Sequence, residues 1–292
     1  VMVRKHDEII IKAFFIFFCL ATLLFIFNII LVSKTKAMIT EDSVFNEVEL
    51  QKEYFQLDQE IRELKKINYE AKQSVKKKLD KEIPVENKVN NKSYKQKTVY
   101  ITFDDGPSNN TDELLEVLKS YQAKATFFML EPNMRKYPDA TKAIIRDGHV
   151  PGLHGVSHNK QKFYESKNSV ISEMKQTQVT LKSITGISSN LIRTPYGSSP
   201  HLTSSQLDEC VLNGFIVWDW TIDSEDWKYK KGEYVQKVIH ELKSFSSIEK
   251  PVVILLHDKK TTIDYLPNLL SYLDKEDYEL DAMNEQMNPY HF

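Results

Sequence analysis

The sequence predicts an α/β protein: a distorted (β/α) barrel of seven to eight strands, preceded by an N-terminal transmembrane helix and a helical stalk. Three observations carry that prediction. Residues 13–33 form an apolar run, residues 41–83 lack Gly and Pro and space their apolar residues at helical steps, and from Thr98 onward short apolar runs alternate with amphipathic segments. The 292 residues are 41% hydrophobic and 27% charged, which excludes a disordered chain. With 39 Lys and Arg against 41 Asp and Glu, the net charge of -2 excludes a protein drawn to nucleic acid by bulk electrostatics. Cys19 and Cys210 are too few for a disulfide framework or a cysteine-ligated metal.

From Ala13 to Val32 no residue is charged, and as a helix this run spans ~30 Å, the thickness of a bilayer core. The run is longer than the hydrophobic region of a cleavable signal, about 7–15 residues. An uncleaved anchor is therefore expected, although Thr35-Lys36-Ala37 resembles a weak cleavage site. Phe18 precedes Cys19 in the middle of the run, which is no lipoprotein signal. Arg4, Lys5 and Lys12 slightly outnumber Lys34 and Lys36, which places residues 1–12 in the cytoplasm and everything after about residue 35 outside it. The expected location is the cell membrane, single-pass, with the later domain extracytoplasmic.

In the stretch 34–83, Leu50, Tyr54, Leu57, Ile61, Leu64, Ala71 and Val75 fall at alternating four- and three-residue steps, with Asn68 at the polar position of the seam. The pattern suits a coiled-coil stalk joining two copies into a homodimer, and equally a single amphipathic helix. Pro84 stops it, and residues 84–97 read as a linker.

Residues 98–292 form the expected catalytic domain. Strands are predicted at 98–103, 124–130, 191–194, 214–218 and 252–256, and helices near 111–121, 139–147, 168–184, 204–212, 233–244 and 265–274. Alternation with buried strands implies a parallel sheet or barrel. At roughly 195 residues the segment is short of the roughly 250 of a full eightfold barrel, hence a trimmed or distorted one. The tail from Tyr278 to Phe292 is expected to pack on the barrel or to join a substrate groove.

The notable residues lie where the strands end. Val99–Phe103 leads into Asp104-Asp105-Gly106-Pro107; Gly152-Leu153-His154-Gly155-Val156-Ser157-His158 sets two imidazoles four apart, a spacing that lets one tight loop or helical turn offer both to a metal. Arg193-Thr194-Pro195-Tyr196, Asp223-Ser224-Glu225-Asp226-Trp227 and Leu255-Leu256-His257-Asp258 close three further strands. Singly, each has an ordinary reading as a turn, a surface charge or a structural histidine. Five such motifs at five strand ends of one segment point to a single site.

In this order the motifs resemble the polysaccharide deacetylase family, carbohydrate esterase family 4, over about residues 97–280. The resemblance implies a distorted (β/α) barrel and one divalent metal, zinc foremost, with cobalt or another divalent ion as alternatives. It implies Asp105, His154 and His158 as metal ligands, Asp104 as general base and His257 as general acid. Arg193 would hold Asp104, Asp226 would tune His257, the Tyr196 backbone N–H would help to bind the oxyanion, and Trp227 with Leu255 would wall the acetyl pocket. One position departs from the pattern: the family usually has Ser or Thr where this chain has Gly155, which puts the rigidity of that loop in question.

The chemistry implied is removal of acetyl groups from a polysaccharide, with a metal-activated water, an aspartate base and a histidine acid. A membrane anchor and an external domain suggest a substrate outside the bilayer, and the resemblance makes cell-wall peptidoglycan N-acetylglucosamine the expected partner. Exopolysaccharide or chitin-like oligomers, O-acetylated xylan-type polymers, and an inactive tethered glycan-binding scaffold are the alternatives.

Overall fold

The structure, a computed structural model, describes residues 52–57, 59–61, 63–64, 66–67, 97–245 and 250–292. The chain divides into two units, Val1–Leu64 and Lys65–Phe292. In the first, the described residues are helical, and Tyr54, Phe55 and Leu64 are exposed. The expected cytoplasmic tail, the transmembrane span 13–33, and most of the stalk and the linker lie outside the described residues. No described helix is long and apolar enough to cross a membrane.

The second unit is a curled, all-parallel sheet wrapped by helices. In chain order its elements are β1 (Lys97–Asp104), α1 (Thr111–Ser120), β2 (Thr126–Met129), α2 (Glu131–Lys136), α3 (Pro138–Arg146), β3 (Val150–Leu153), α4 (Lys160–Phe163) and α5 (Lys167–Thr185). There follow β4 (Leu191–Ile192), α6 (Ser204–Leu212), β5 (Ile216–Val217), β6 (Ile222–Asp223), α7 (Glu233–Ser244), β7 (Val252–His257), α8 (Lys260–Ile263), α9 (Leu266–Lys275) and β8 (Tyr278–Asp281). The strand order is β5-β4-β3-β2-β1-β7-β6, with β8 paired to β1 off this path.

Strand alternation divides the core in two. On β1, Val99, Ile101 and Phe103 pack outward with Leu114 and Leu118 of α1 and Leu269, Leu270 and Leu273 of α9. The opposite phase forms a smaller cluster inside the curl, built from Phe128, Leu191, Trp218, Val253 and Met283. Both faces are covered, as parallel sheets require. Helix ends follow local chemistry: Ser166 caps α5 through a reciprocal pair with Ser169, and Gly186 closes it in the left-handed conformation at φ +76°.

The architecture departs from the expected barrel in three respects. The sheet does not close, because β5 and β6 end the hydrogen-bonded path without pairing. The C-terminal tail lies near that opening instead, with the Asp219 N–H donating to the Tyr290 carbonyl at 2.8 Å and the Phe292 N–H to Asp219 Oδ2 at 2.7 Å. Strands predicted at 191–194 and 214–218 are only two residues long, while β3, β6 and β8 were not predicted. β8 pairs with the first half of β1 on the edge that β2 takes further along, so both abut one strand.

Candidate active site and metal centre

The period of two that sends Ile101 and Phe103 to the helices sends Thr102 and Asp104 inward. The same count carries Phe128 to the inner face of β2, Val150 and Gly152 to that of β3 with His154 just beyond its end, and Val253, Leu255 and His257 to that of β7. Parallel register sets Asp104 directly opposite His257. One end of the curled sheet thus gathers the residues that the motifs singled out, where α/β folds place their chemistry.

Asp105, His154 and His158 offer ligand atoms that all lie within 4.8 Å of one another. His158 Nε2 is 3.3 Å and His154 Nε2 3.6 Å from Asp105 Oδ1. That Oδ1 is buried and has no hydrogen-bond partner, an orphaned acceptor facing two imidazole nitrogens. His154 Nδ1 donates to the Arg193 carbonyl at 2.8 Å, which leaves Nε2 with its lone pair toward the cluster. An oxygen, two nitrogens and an unmet acceptor fit a divalent cation with borderline ligand preference. Burial opposes ionisation of Asp105, but the facing His154 and His158 outweigh it and hold the carboxyl below its ordinary range. Burial lowers His158, which favours the neutral, ligating form.

Asp104 presents its two oxygens to different neighbours. Oδ1 accepts from Arg193 at 2.8 Å, and Oδ2 stands 3.8 Å from His154 Nε2. Arg193 is fully buried, with its guanidinium 4.2 Å from the centre of the Phe128 ring. It donates to Asp104, to the Thr102 hydroxyl at 2.6 Å, and to the carbonyls of Trp218 and Asp219 at 3.2 and 2.9 Å. A guanidinium fixed by four such bonds holds a carboxylate in one orientation.

His257 Nδ1 donates to Asp226 Oδ1 at 2.7 Å, and the His257 N–H and the Thr262 hydroxyl fill Asp226 Oδ2 at 2.8 and 2.5 Å. Burial opposes the imidazolium, but the bond and charge of Asp226, with Asp104 and Asp105 nearby, raise His257 above its ordinary value of 6.5. The same contacts, against burial, lower Asp226. The pairing favours a carboxylate beside an imidazolium, with Nε2 turned away from Asp226.

The remaining predicted residues are placed less uniformly. Tyr196 has φ +66°, lies with its ring 4.8 Å from that of His158, and donates its hydroxyl to the His158 carbonyl at 3.1 Å. Leu255 is buried on the inner face two residues before His257 and belongs to neither apolar cluster. Trp227 is 59% exposed, and no described hydrogen bond or ring contact joins it to the others. Sequence reasoning passed over Asp258, whose carboxylate accepts from the Ser108 N–H and hydroxyl at 3.1 and 2.8 Å and from Thr111 at 2.5 Å, and so anchors the turn that carries Asp105. It also missed Asp219, which holds Ser198 beside the Arg193–Tyr196 turn. Asp258 stands in the His257 motif with no role assigned to it, and Asp219 lies in none of the motifs.

A parallel α/β sheet with a candidate metal centre and an aspartate–histidine pair at its strand ends defines the class: a hydrolase. The family model for polysaccharide deacetylase matches residues 91–214. YheN of Bacillus subtilis, whose name assigns it to the polysaccharide deacetylases, is 48% identical over 197 residues, 67% of this chain and 70% of that protein. A peptidoglycan-N-acetylglucosamine deacetylase of Bacillus cereus is 39% identical over 65% of this chain and 71% of its own length. The crystal structure of the polysaccharide deacetylase Bc1974 from Bacillus cereus superposes with a TM-score of 0.62 at 38% identity, covering 68% of this chain and 97% of that one. The chain belongs to the polysaccharide deacetylase family.

Proposed function

We propose that this enzyme removes N-acetyl groups from the N-acetylglucosamine of peptidoglycan. The observation that carries the reading is the convergence of Asp105, His154 and His158 beside Asp104, whose register partner is His257. The likeness to a Bacillus cereus peptidoglycan-N-acetylglucosamine deacetylase supports the substrate.

Asp105, His154 and His158 would hold one divalent ion, zinc in this reading, which would supply a Lewis acid for the acetyl carbonyl and lower the pKa of water. Asp104, fixed through Oδ1 by Arg193, keeps Oδ2 free to take a proton as water attacks the carbonyl carbon. The Tyr196 backbone N–H contributes a donor to the developing oxyanion; such a donor is worth about 3 kcal/mol. His257, kept protonated by Asp226, donates its Nε2 proton to the sugar nitrogen as the amide C–N bond breaks, releasing acetate and a free amine. Leu255 and Trp227 line the acetyl side of the cleft.

In the same reading, residues 13–33 cross the cell membrane once, the catalytic unit lies outside the cytoplasm, and residues 34–83 form a stalk that pairs two copies. The hydropathy and heptad pattern supports this.

The test is acetate release from purified peptidoglycan, with and without a chelator, beside chitin oligomers, exopolysaccharide and O-acetylated xylan. Chelator-sensitive release from peptidoglycan is the expected result. Release only from another polymer reassigns the substrate, and no release from any glycan by metal-loaded protein leaves a tethered glycan-binding scaffold.

A further inference from the structure

We propose that Glu173 is a positioning residue for the metal centre, acting through the loop that joins His154 to His158. The proposal rests on reading Asp105, His154 and His158 as metal ligands.

The two imidazoles are carried by consecutive turns of irregular backbone. Gly155 has φ +88° and His158 φ +43°, so both sit in the left-handed region, which a histidine keeps only when other contacts hold it. Between them, the N–H groups of Val156 and Ser157 both donate to Glu173 Oε2, at 2.8 and 2.9 Å, and the Ser157 hydroxyl donates to Oε1 at 2.6 Å. Ser157 Oγ in turn accepts the Asn159 N–H at 3.2 Å, which reaches the residue after His158. Successive amide groups converging on one anion form a nest, and hydrogen bonds to a charged acceptor are of the stronger kind.

Glu173 comes from a rigid element. It lies on α5, whose start is fixed by the Ser166–Ser169 capping pair and whose Val170, Met174 and Thr177 are buried on either side of it. Among the described residues no Lys or Arg pairs with Glu173, so the carboxylate is committed to the loop. Gly155 completes the fit. An added Cβ there would lie 3.2 Å from Glu173 Oε2 and 3.0 Å from Phe163 Cε2, so the carboxylate occupies space that a side chain at 155 would need. The space beside Gly155 is thus taken by an acceptor that α5 brings in from outside the motif.

Partners bonded directly to a metal ligand change affinity about 10–100-fold when removed, and Glu173, which holds the backbone between two ligands, is expected at the lower end of that range. The experiment is competition for Zn2+ against a chelating dye, with melting of the metal-free protein measured in parallel, on the parent, E173A, E173Q, S157A and Q178A. Gln178 is the control, since it lies on the same helix but bonds to Ser189 and Asn190 instead of the ligand loop. We expect E173A to weaken Zn2+ binding at least about tenfold, E173Q to recover part of that loss, Q178A to bind like the parent, and E173A activity to return as Zn2+ is raised. If E173A does not fold, E173Q and S157A carry the test, with a loss of about threefold or more expected in each. Parent-like affinity in the Glu173 variants overturns the proposal, as does an equal loss in Q178A. A parent protein that takes up no Zn2+ overturns the ligand reading itself, a failure distinct from either.

Discussion

Asp104 and His257 are register partners on adjacent parallel strands, β1 and β7, and each is held from behind by a buried residue of opposite charge: Arg193 for the first and Asp226 for the second. One backbone pairing therefore sets the proposed proton acceptor and the proposed proton donor side by side at the mouth of the sheet. The two need only differ in protonation to serve opposite halves of a hydrolysis.

Asp104→Asn keeps the size and the Arg193 contact but removes the basic oxygen. Turnover should fall about 10²- to 10⁴-fold while bound metal, measured by elemental analysis, stays at the parental level. A variant that turns over like the parent removes Asp104 from the mechanism.

Replacing His154 or His158 with Ala deletes one of the three clustered ligand atoms. Metal content after dialysis should drop well below one equivalent, with activity lost in step. Full metal content in either variant takes that histidine out of the ligand set.

His257 titrates above its ordinary 6.5 because Asp226 outweighs the effect of burial. Activity that needs the imidazolium persists below that raised value and declines as pH climbs through it. Asp226→Asn should move the alkaline limb of kcat to lower pH, and an unmoved limb rules out His257 as the titrating acid.

Burial, aided by nearby Lys124, lowers His149 to about 4, and its Nδ1 accepts the Ala125 N–H at 3.2 Å. A histidine depressed in the folded state leaves stability intact above its unfolded value of about 6.5 and withdraws it as pH falls toward about 4. His149→Asn retains an acceptor without the titration, so its melting temperature should fall less steeply over that window. Equal slopes would show that His149 does not contribute.

Arg193→Ala strands Asp104 in a buried site without its counter-charge. The expected loss is about 3–5 kcal/mol of stability in denaturant titration, together with loss of activity. Arg193→Lys should rescue little, since an ammonium cannot span four acceptors arranged around a planar fork. A lysine variant of parental stability would show that charge alone suffices.

The catalytic half was legible wherever a strand was a long, largely apolar run. Val99–Phe103 and Val252–Leu256 announce themselves, and the chemical residues follow directly after them. β3 was not legible, because Val150-Pro151-Gly152-Leu153 contains the two residues least suited to strands. β6, at two residues, gives no period to count. Thr102, Asp219, Asp258 and Glu173 act by partners far away in sequence, so nothing local distinguishes them from a strand threonine, a turn aspartate or a helix glutamate. The opening between β5 and β6, near which the tail packs, was likewise a matter of tertiary packing.

Gly152 shows how far the vulnerability of this enzyme extends beyond its reacting atoms. A methyl group at that position would come within 2.4 Å of the Phe128 ring and force it to shift, and Phe128 backs the guanidinium that steadies Asp104. An alanine there would leave every chemical group in place and still spoil their aim. Intact motifs are therefore no guarantee of a working site.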